Sequence, residues 1–319
     1  MQTEALWYVG NRRVERRVAD VPAPAPDYVR VRALYSGISR GTERLVFEGR
    51  VPASEYARMR CPFQEGAFPF PVKYGYALIG AIEDGPRKGE RVFALHPHQR
   101  LAIIPASAAH PLPANLPPRR AVLTANMETA LNVMWDAGIP HNSQVLIIGA
   151  GVLGLLTAAA VRMSPGVAVT LVDIDPSRAG IAAKMGAAFT LPEAAPREQD
   201  IVIHTSATEA GLRLALACAG NEARIVEASW FGNTNVSLPL GEAFHARRLK
   251  LISSQVGQIA PSHRGEWTYA RRLQAAMAFL EHDRFDALIE SEVPFDEAPA
   301  RLPEILDDRR PRLMTVLRY

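Results

Sequence analysis

The stretch Gln144–Arg178, QVLIIGAGVLGLLTAAAVRMSPGVAVTLVDIDPSR, constrains this chain more than any other. Val145–Ile148 is a short apolar run, as expected for a strand buried on both sheet faces. Gly149-Ala150-Gly151-Val152-Leu153-Gly154 follows and fits G-x-G-x-x-G. In this pattern Gly149 permits a tight turn, Gly151 lets a pyrophosphate approach the backbone, and Gly154 lets the helix pack closely on the strand. Val152 and Leu153 open that helix, whose first N–H groups and positive dipole end favour phosphate. A second strand, 167–172, ends at Asp173, near the spacing of about 20 at which a carboxylate meets the ribose hydroxyls. A glycine-rich turn in an ordinary βαβ unit that binds nothing is the plainer alternative. Gly151 argues against it, having little packing rationale unless something sits against it. A carboxylate at Asp173 favours the free ribose hydroxyl of NAD and repels the 2′-phosphate of NADP, a preference that Arg178 nearby softens without reversing.

The chain has 319 residues, for which two domains are the natural expectation. Hydrophobic residues make up 48%, enough for sizeable cores and against disorder. Formal net charge is +3 with no long basic run, so no nucleic-acid partner is expected. The two cysteines, Cys61 and Cys218, exclude a disulfide framework and a four-cysteine zinc site and fit a reducing, cytoplasmic setting. Met1-Gln2-Thr3-Glu4 does not read as a signal peptide, and no apolar run is long enough to span a membrane.

Residues 1 to about 115 read as all-β, with strands at Glu4–Val9, Val14–Val18, Tyr28–Leu34, Tyr74–Ile82 and Gly89–Ala94. A glycine-rich loop, Ser36–Glu43, follows the third, with a helix beginning near Thr42. Proline-rich 111–118 marks a domain junction. Arg119–Ala137 reads as a helix that buries Trp135 in a core. Strands then alternate with helices to about 254, which predicts a parallel, doubly wound sheet. A mixed tail, 255–319, closes the chain. The expected domains are therefore 1–117, 118–254 and 255–319.

This order resembles the medium-chain dehydrogenase/reductase superfamily over essentially the whole chain. The resemblance implies a GroES-like β-rich catalytic domain, a Rossmann domain and a C-terminal return to the first: an α/β protein, and by implication a homodimer formed through the edge strand near 248–252. It also implies an active site built from the loop Ser36–Glu43, the strand around Tyr76 and the helix around Thr129, with Thr129 packing near the nicotinamide. The superfamily's zinc ligands, carried over by motif, fall on Ser39 or Arg40, on Tyr76 and on Ala125. No such set binds zinc. The loop SGISRGTE, the helix text Ala125–Asn132 and Ser253–Gly257 look like a zinc-free branch that contains bacteriochlorophyllide a dehydrogenase.

Oxidation of an alcohol needs a hydride acceptor and a group to take the hydroxyl proton. Tyr76 is the first candidate acid/base, its phenol lowered by Arg40 or Lys73; equally, it fills the space left by the metal. Ser39 can bond a substrate oxygen or cap the loop. Glu43 can orient Arg40 or start a helix. Glu128, one turn beyond Ala125, can point into the site or lie on the surface. His96 and His98 would share one face of a strand, but lack a third ligand, so a loop at the cleft rim is the better reading. His204, Ser206, Trp230, Phe231 and Gly232 end later strands and should line the cofactor crevice. His245 has no motif around it. Phe47, Tyr56, Phe63, Phe68 and Phe70 suit either a bulky substrate or a domain core. The expected activity is a zinc-independent, NAD-dependent alcohol–ketone oxidoreduction on a small molecule. The rivals are an NADPH-dependent quinone or enone reductase and a non-catalytic dinucleotide-binding protein.

Overall fold

The computed structural model describes residues 1–307, 309 and 312–319. The chain opens with β1 (Gln2–Gly10), β2 (Arg13–Asp20), β3 (Tyr28–Ile38) and helix α1 (Arg40–Phe47). Strands β4 (Glu65–Gly66), β5 (Val72–Lys73), β6 (Leu78–Ile82), β7 (Arg91–Ala94), β8 (Leu101–Pro105) and β9 (His110–Pro111) follow. Helices α2 (Pro118–Ala121) and α3 (Thr124–Ala137) lead to β10 (Gln144–Ile148), α4 (Val152–Val161), β11 (Ala168–Val172), α5 (Ala179–Lys184) and β12 (Ala188–Thr190). Then come β13 (Gln199–His204), α6 (Glu209–Cys218), β14 (Ala219–Glu227), β15 (Lys250–Ser253) and α7 (Tyr269–Phe279). The chain ends with β16 (Ile289–Pro294), α8 (Ala298–Ile305) and β17 (Met314–Arg318).

Two compact units result: Met1–Ala125 with Met277–Tyr319, and Asn126–Ala276. The first holds a four-stranded sheet, β2-β1-β5-β4, and a seven-stranded one, β16-β17-β3-β6-β7-β9 with β8 also on β3. Alternating inward residues such as Val31, Ala33, Leu78, Val92 and Ile104 form its core. β17 pairs antiparallel with β3, Thr315 opposite Ile38 and Leu317 opposite Ser36. Ser36–Ile38 is therefore strand rather than loop, because a segment from the far end of the chain supplies its hydrogen bonds.

The second unit is a six-stranded parallel sheet in the order β12-β11-β10-β13-β14-β15. Counted from β10, that is the order 3-2-1-4-5-6, whose direction reverses between β10 and β13. Val145, Leu146, Ile147, Val202 and Ile203 are fully buried, as strands covered on both faces require. The borders of this unit lie later in the chain than 118 and 255. Arg272, on α7, bonds Glu128, Asn132 and the Val256 carbonyl, so the segment from 255 to 276 packs with this sheet's unit. The single helix expected over 119–137 is two, α2 and α3. Among the described residues no helix is long and apolar enough to cross a membrane.

Candidate functional site

In the first unit, Ser39 stands at the N-cap of α1, and its backbone N–H donates to Glu43 Oε1 at 2.8 Å. Glu43 is fully buried. Its Oε2 accepts from the Tyr8 hydroxyl at 2.7 Å and lies 2.9 Å from His98 Nε2. A carboxylate only accepts, so His98 carries its proton on Nε2. His98 Nδ1 then accepts from Ser36 Oγ at 2.8 Å, and Ser36 Oγ lies 2.9 Å from the Tyr319 hydroxyl. These are the partners sequence reasoning missed, and only the helix-start position of Glu43 hinted at one of them. Glu43 does not orient Arg40. Arg40 instead donates to the carbonyls of Ile305 (2.8 Å), Asp307 (2.7 Å) and Arg312 (3.3 Å), tying the C-terminal segment to α1.

Tyr76 is half-buried and meets Tyr74 edge-on at 6.1 Å between ring centres. Burial pushes its phenol up to about 12, against hydrogen bonds from the Ser39 and Thr42 side chains that pull it down. Neither expected cation lowers it. Arg40 is spent on the carbonyls above, and Lys73, buried, bonds Glu65 and Gln99. Tyr56, Phe68 and Tyr74 form a run of ring contacts leading to Tyr76. Phe47 instead packs on Tyr8.

His96 and His98 follow β7 outside any strand and are 4% and 0% exposed, so they form no rim loop. His96 stacks on Phe63 at 5.4 Å, its Nδ1 on the Pro97 carbonyl at 2.9 Å, and burial drives its pKa down to about 3. Ser39 offers a hydroxyl, Arg40 a guanidinium, Tyr76 a protonated phenol and Ala125 no donor side chain, types that do not suit Zn²⁺. Among the described residues no three His, Cys, Asp or Glu side chains converge to hold a metal.

In the second unit, Gly149 takes φ +107, open to glycine, and a Cβ on Gly154 would lie 1.9 Å from the Gly149 carbonyl oxygen. At Gly151 a Cβ would meet nothing within 4 Å, so this glycine faces open space beside the start of α4. Val152 and Leu153, the first helical residues, are half-buried. Asp173 Oδ2 accepts from the Ala150 N–H at 2.6 Å and Oδ1 from the Asp175 N–H at 3.0 Å. Arg178 is buried and pairs with Asp175 at 3.3 Å, which turns its charge to a neighbouring acid. Glu128 turns to another partner in its own unit. It is buried on α3 and paired with Arg272 at 3.1 Å, and burial raises its pKa. Thr129 is half-buried on the same helix.

Past the carboxyl end of β13, Ser206 Oγ lies 2.7 Å from His204 Nε2, and His204 Nδ1 lies 2.6 Å from Glu227 Oε2. Phe231 stacks over the imidazole at 6.1 Å, and Trp230 and Gly232 are half-buried beside it in the chain. Glu227 and Ser229 were not singled out in the sequence. They meet His204 only because β13 and β14 pair with His204 opposite Glu227.

The β-rich unit and the parallel sheet with a glycine turn form a fold shared with solved dehydrogenase structures. The same fold occurs in an Escherichia coli alcohol dehydrogenase complexed with NADH (TM-score 0.78, 18% identity, 100% of this chain and 99% of that one). It recurs in a candidate zinc-binding dehydrogenase from Sinorhizobium meliloti bound to NADP (TM-score 0.79, 19% identity, 100% of each chain). It recurs again in 2R,3R-butanediol dehydrogenase from Bacillus subtilis (TM-score 0.78, 13% identity, 99% of each chain). In sequence, the chain is 34% identical to L-threonine 3-dehydrogenase of Pyrococcus furiosus over 101 residues, 32% of this chain and 28% of that one. The match thus spans little more than a quarter of that relative. No family model matches the chain.

Proposed function

We propose that this chain is a zinc-independent, NAD(H)-dependent oxidoreductase that interconverts an alcohol and a carbonyl on a small molecule. The observation that carries the reading is the cradle at Gly149–Gly154, open at Gly151 and bounded by the Asp173 carboxylate. The E. coli structure with NADH and the threonine dehydrogenase match support the same class. Asp173 and Asp175 together disfavour a 2′-phosphate, and Arg178 is held by Asp175, which supports NAD over NADP. Bound there, the dinucleotide supplies the hydride donor or acceptor. Tyr76, Ser39 and Thr42 form the group that handles the substrate oxygen. A phenol at about 12 stays protonated at neutral pH and can donate to an oxygen on which negative charge develops. Residues Tyr56, Phe63, Phe68 and Tyr74 offer apolar faces suited to a bulky substrate. Pairing of β15 edges would make a homodimer, and two unpaired cysteines fit the cytoplasm.

Fluorescence titration with NADH and NADPH tests the cofactor, and a panel of alcohols, ketones and enones tests the reaction. Tighter NADH binding with alcohol oxidation is expected. Tighter NADPH binding with enone reduction would replace this reading, and NADH binding without turnover of any substrate would leave a non-catalytic binding protein.

A further inference from the structure

The second unit contains an ordered chain of hydrogen bonds that the cofactor cradle does not require. Thr208 Oγ1 accepts the Gly211 N–H at 3.0 Å as the N-cap of α6 and lies 2.9 Å from Ser206 Oγ, to which it donates when the Ser206 proton is given to His204. The Ser206 proton then points to His204 Nε2 at 2.7 Å, and the Nδ1 proton of His204 to Glu227 Oε2 at 2.6 Å. Glu227 Oε1 takes the Ser229 N–H at 2.7 Å, which fixes the carboxylate. One lone pair remains on Ser206 Oγ, placed to accept a further donor.

Satisfying a buried imidazole needs only neutral acceptors and donors, and a carboxylate beside it in a sheet is costly unless its charge is used. The position adds to this. Ser206 follows β13, the strand next to β10 across the reversal in strand order, where ligands of such sheets bind. Its backbone N would lie 2.9 Å from a Cβ on Gly149, so it adjoins the glycine turn itself. We propose that Ser206, His204 and Glu227 form a hydroxyl–imidazole–carboxylate proton relay opening on this crevice, which takes a proton from a ligand hydroxyl and returns it.

The step balances within these groups. The ligand O–H proton moves to Ser206 Oγ as the Ser206 proton moves to His204 Nε2, and the resulting imidazolium lies against the Glu227 carboxylate. The proton that alcohol oxidation releases is held as the His204 imidazolium and returns to the ligand oxygen in carbonyl reduction. Glu227, from β14, is the acid in contact with the imidazole. From α6 the backbone at Gly211 packs against Nε2, while Glu209 is held by Arg213 and the Ser237 N–H. From β10, Ile148 sits opposite His204 in register. The ligand hydroxyl belongs either to the cofactor ribose or to the alcohol. The relay rests on the oxidoreductase reading and deepens it.

The test is the pH profile of alcohol oxidation and its solvent deuterium isotope effect on wild type, Ser206→Ala, Ser206→Thr and Glu227→Gln, with NADH affinity measured alongside. Wild type should show a solvent isotope effect on kcat, because the relay protons are exchangeable. Loss of the effect with an NAD analogue lacking the ribose hydroxyl assigns the ribose, and its retention assigns the alcohol. Ser206→Ala and Glu227→Gln should abolish the effect, Ser206→Thr should retain it, and kcat of Ser206→Ala should fall by about 10²-fold with a displaced pH profile. Unchanged isotope effects and pH profiles in variants that still bind nucleotide would overturn the relay alone. Failure of wild type to bind either nucleotide would overturn the proposed function and the relay with it.

Discussion

Protonation at Tyr76 follows from where its oxygen lies rather than from a neighbouring cation. Two hydroxyl donors, Ser39 and Thr42, engage the oxygen, yet burial outweighs them and holds the phenol near 12. Its proton is then available to hydrogen-bond the substrate oxygen in the proposed reaction, and Tyr76→Phe removes it while keeping the ring contact with Tyr74. We expect kcat to fall by about 10²–10⁴-fold with unfolding midpoints little changed; unaltered steady-state rates would make Tyr76 a space-filler. His96 gives an independent stability prediction. Unfolded, it titrates at 6.5; folded, burial lowers it to about 3, so the folded chain binds fewer protons between these values. That stability is present above the unfolded value and is lost as pH falls toward the folded one. At about 1.4 kcal/mol per pH unit, roughly 2 kcal/mol goes between neutrality and about pH 5. His96→Phe, which preserves the stack on Phe63, should remove most of this acid sensitivity in urea titrations at the two pH values. An identical pH slope would show that His96 is not its source.

Elements differ in how much of them was legible. The parallel strands β10, β11 and β13 were, because burial on both faces writes a short apolar run into each. The glycine turn was legible because three glycines have separate geometric reasons to be there. The end of β3 was not: Ser36 and Gly37 carry no strand preference and are strand because β17 on one side and Ala77–Leu78 on the other supply their partners. Glu43–His98 and His204–Glu227 were hidden for the same reason, each pair being joined by strand or loop geometry that spacing along the chain does not encode. Glu128 shows the converse. Helical spacing aimed it at a site, whereas the actual neighbour is Arg272 on α7, 2% exposed in its side chain and bonded also to Asn132 and the Val256 carbonyl. That arginine fastens α7 to α3. Arg272→Ala would leave Glu128 buried without its counter-charge and should cost about 3–5 kcal/mol. Adding Glu128→Gln should recover part of the loss in denaturant unfolding, since the stranded charge is gone; no recovery would assign the cost to packing.

At the scale of the whole molecule, the shared fold and the proposed zinc-independent chemistry make separate demands. Structures covering 99–100% of this chain share its fold, and one of them is described as a candidate zinc-binding dehydrogenase. The proposed zinc independence rests on the resemblance that puts Ser39 or Arg40, Tyr76 and Ala125 at the ligand positions, none of them a good zinc ligand. What occupies the region is a closed hydrogen-bond system, Tyr319–Ser36–His98–Glu43 with Tyr8, in which Glu43 accepts three donors and the two imidazole nitrogens of His98 are both engaged. Freeing Glu43 and His98 to bind a metal would strand the Tyr8 hydroxyl and the Ser39 N–H in a buried place, at about 1–3 kcal/mol for each donor. Dialysis against a strong chelator should therefore leave turnover within about twofold of untreated enzyme, as a hydroxyl-based site predicts. Elemental analysis of the purified protein should find far less than one zinc per chain. Activity lost on chelation and restored by added zinc would show instead that a metal takes the substrate oxygen, with the Glu43–His98 pair opening to hold it.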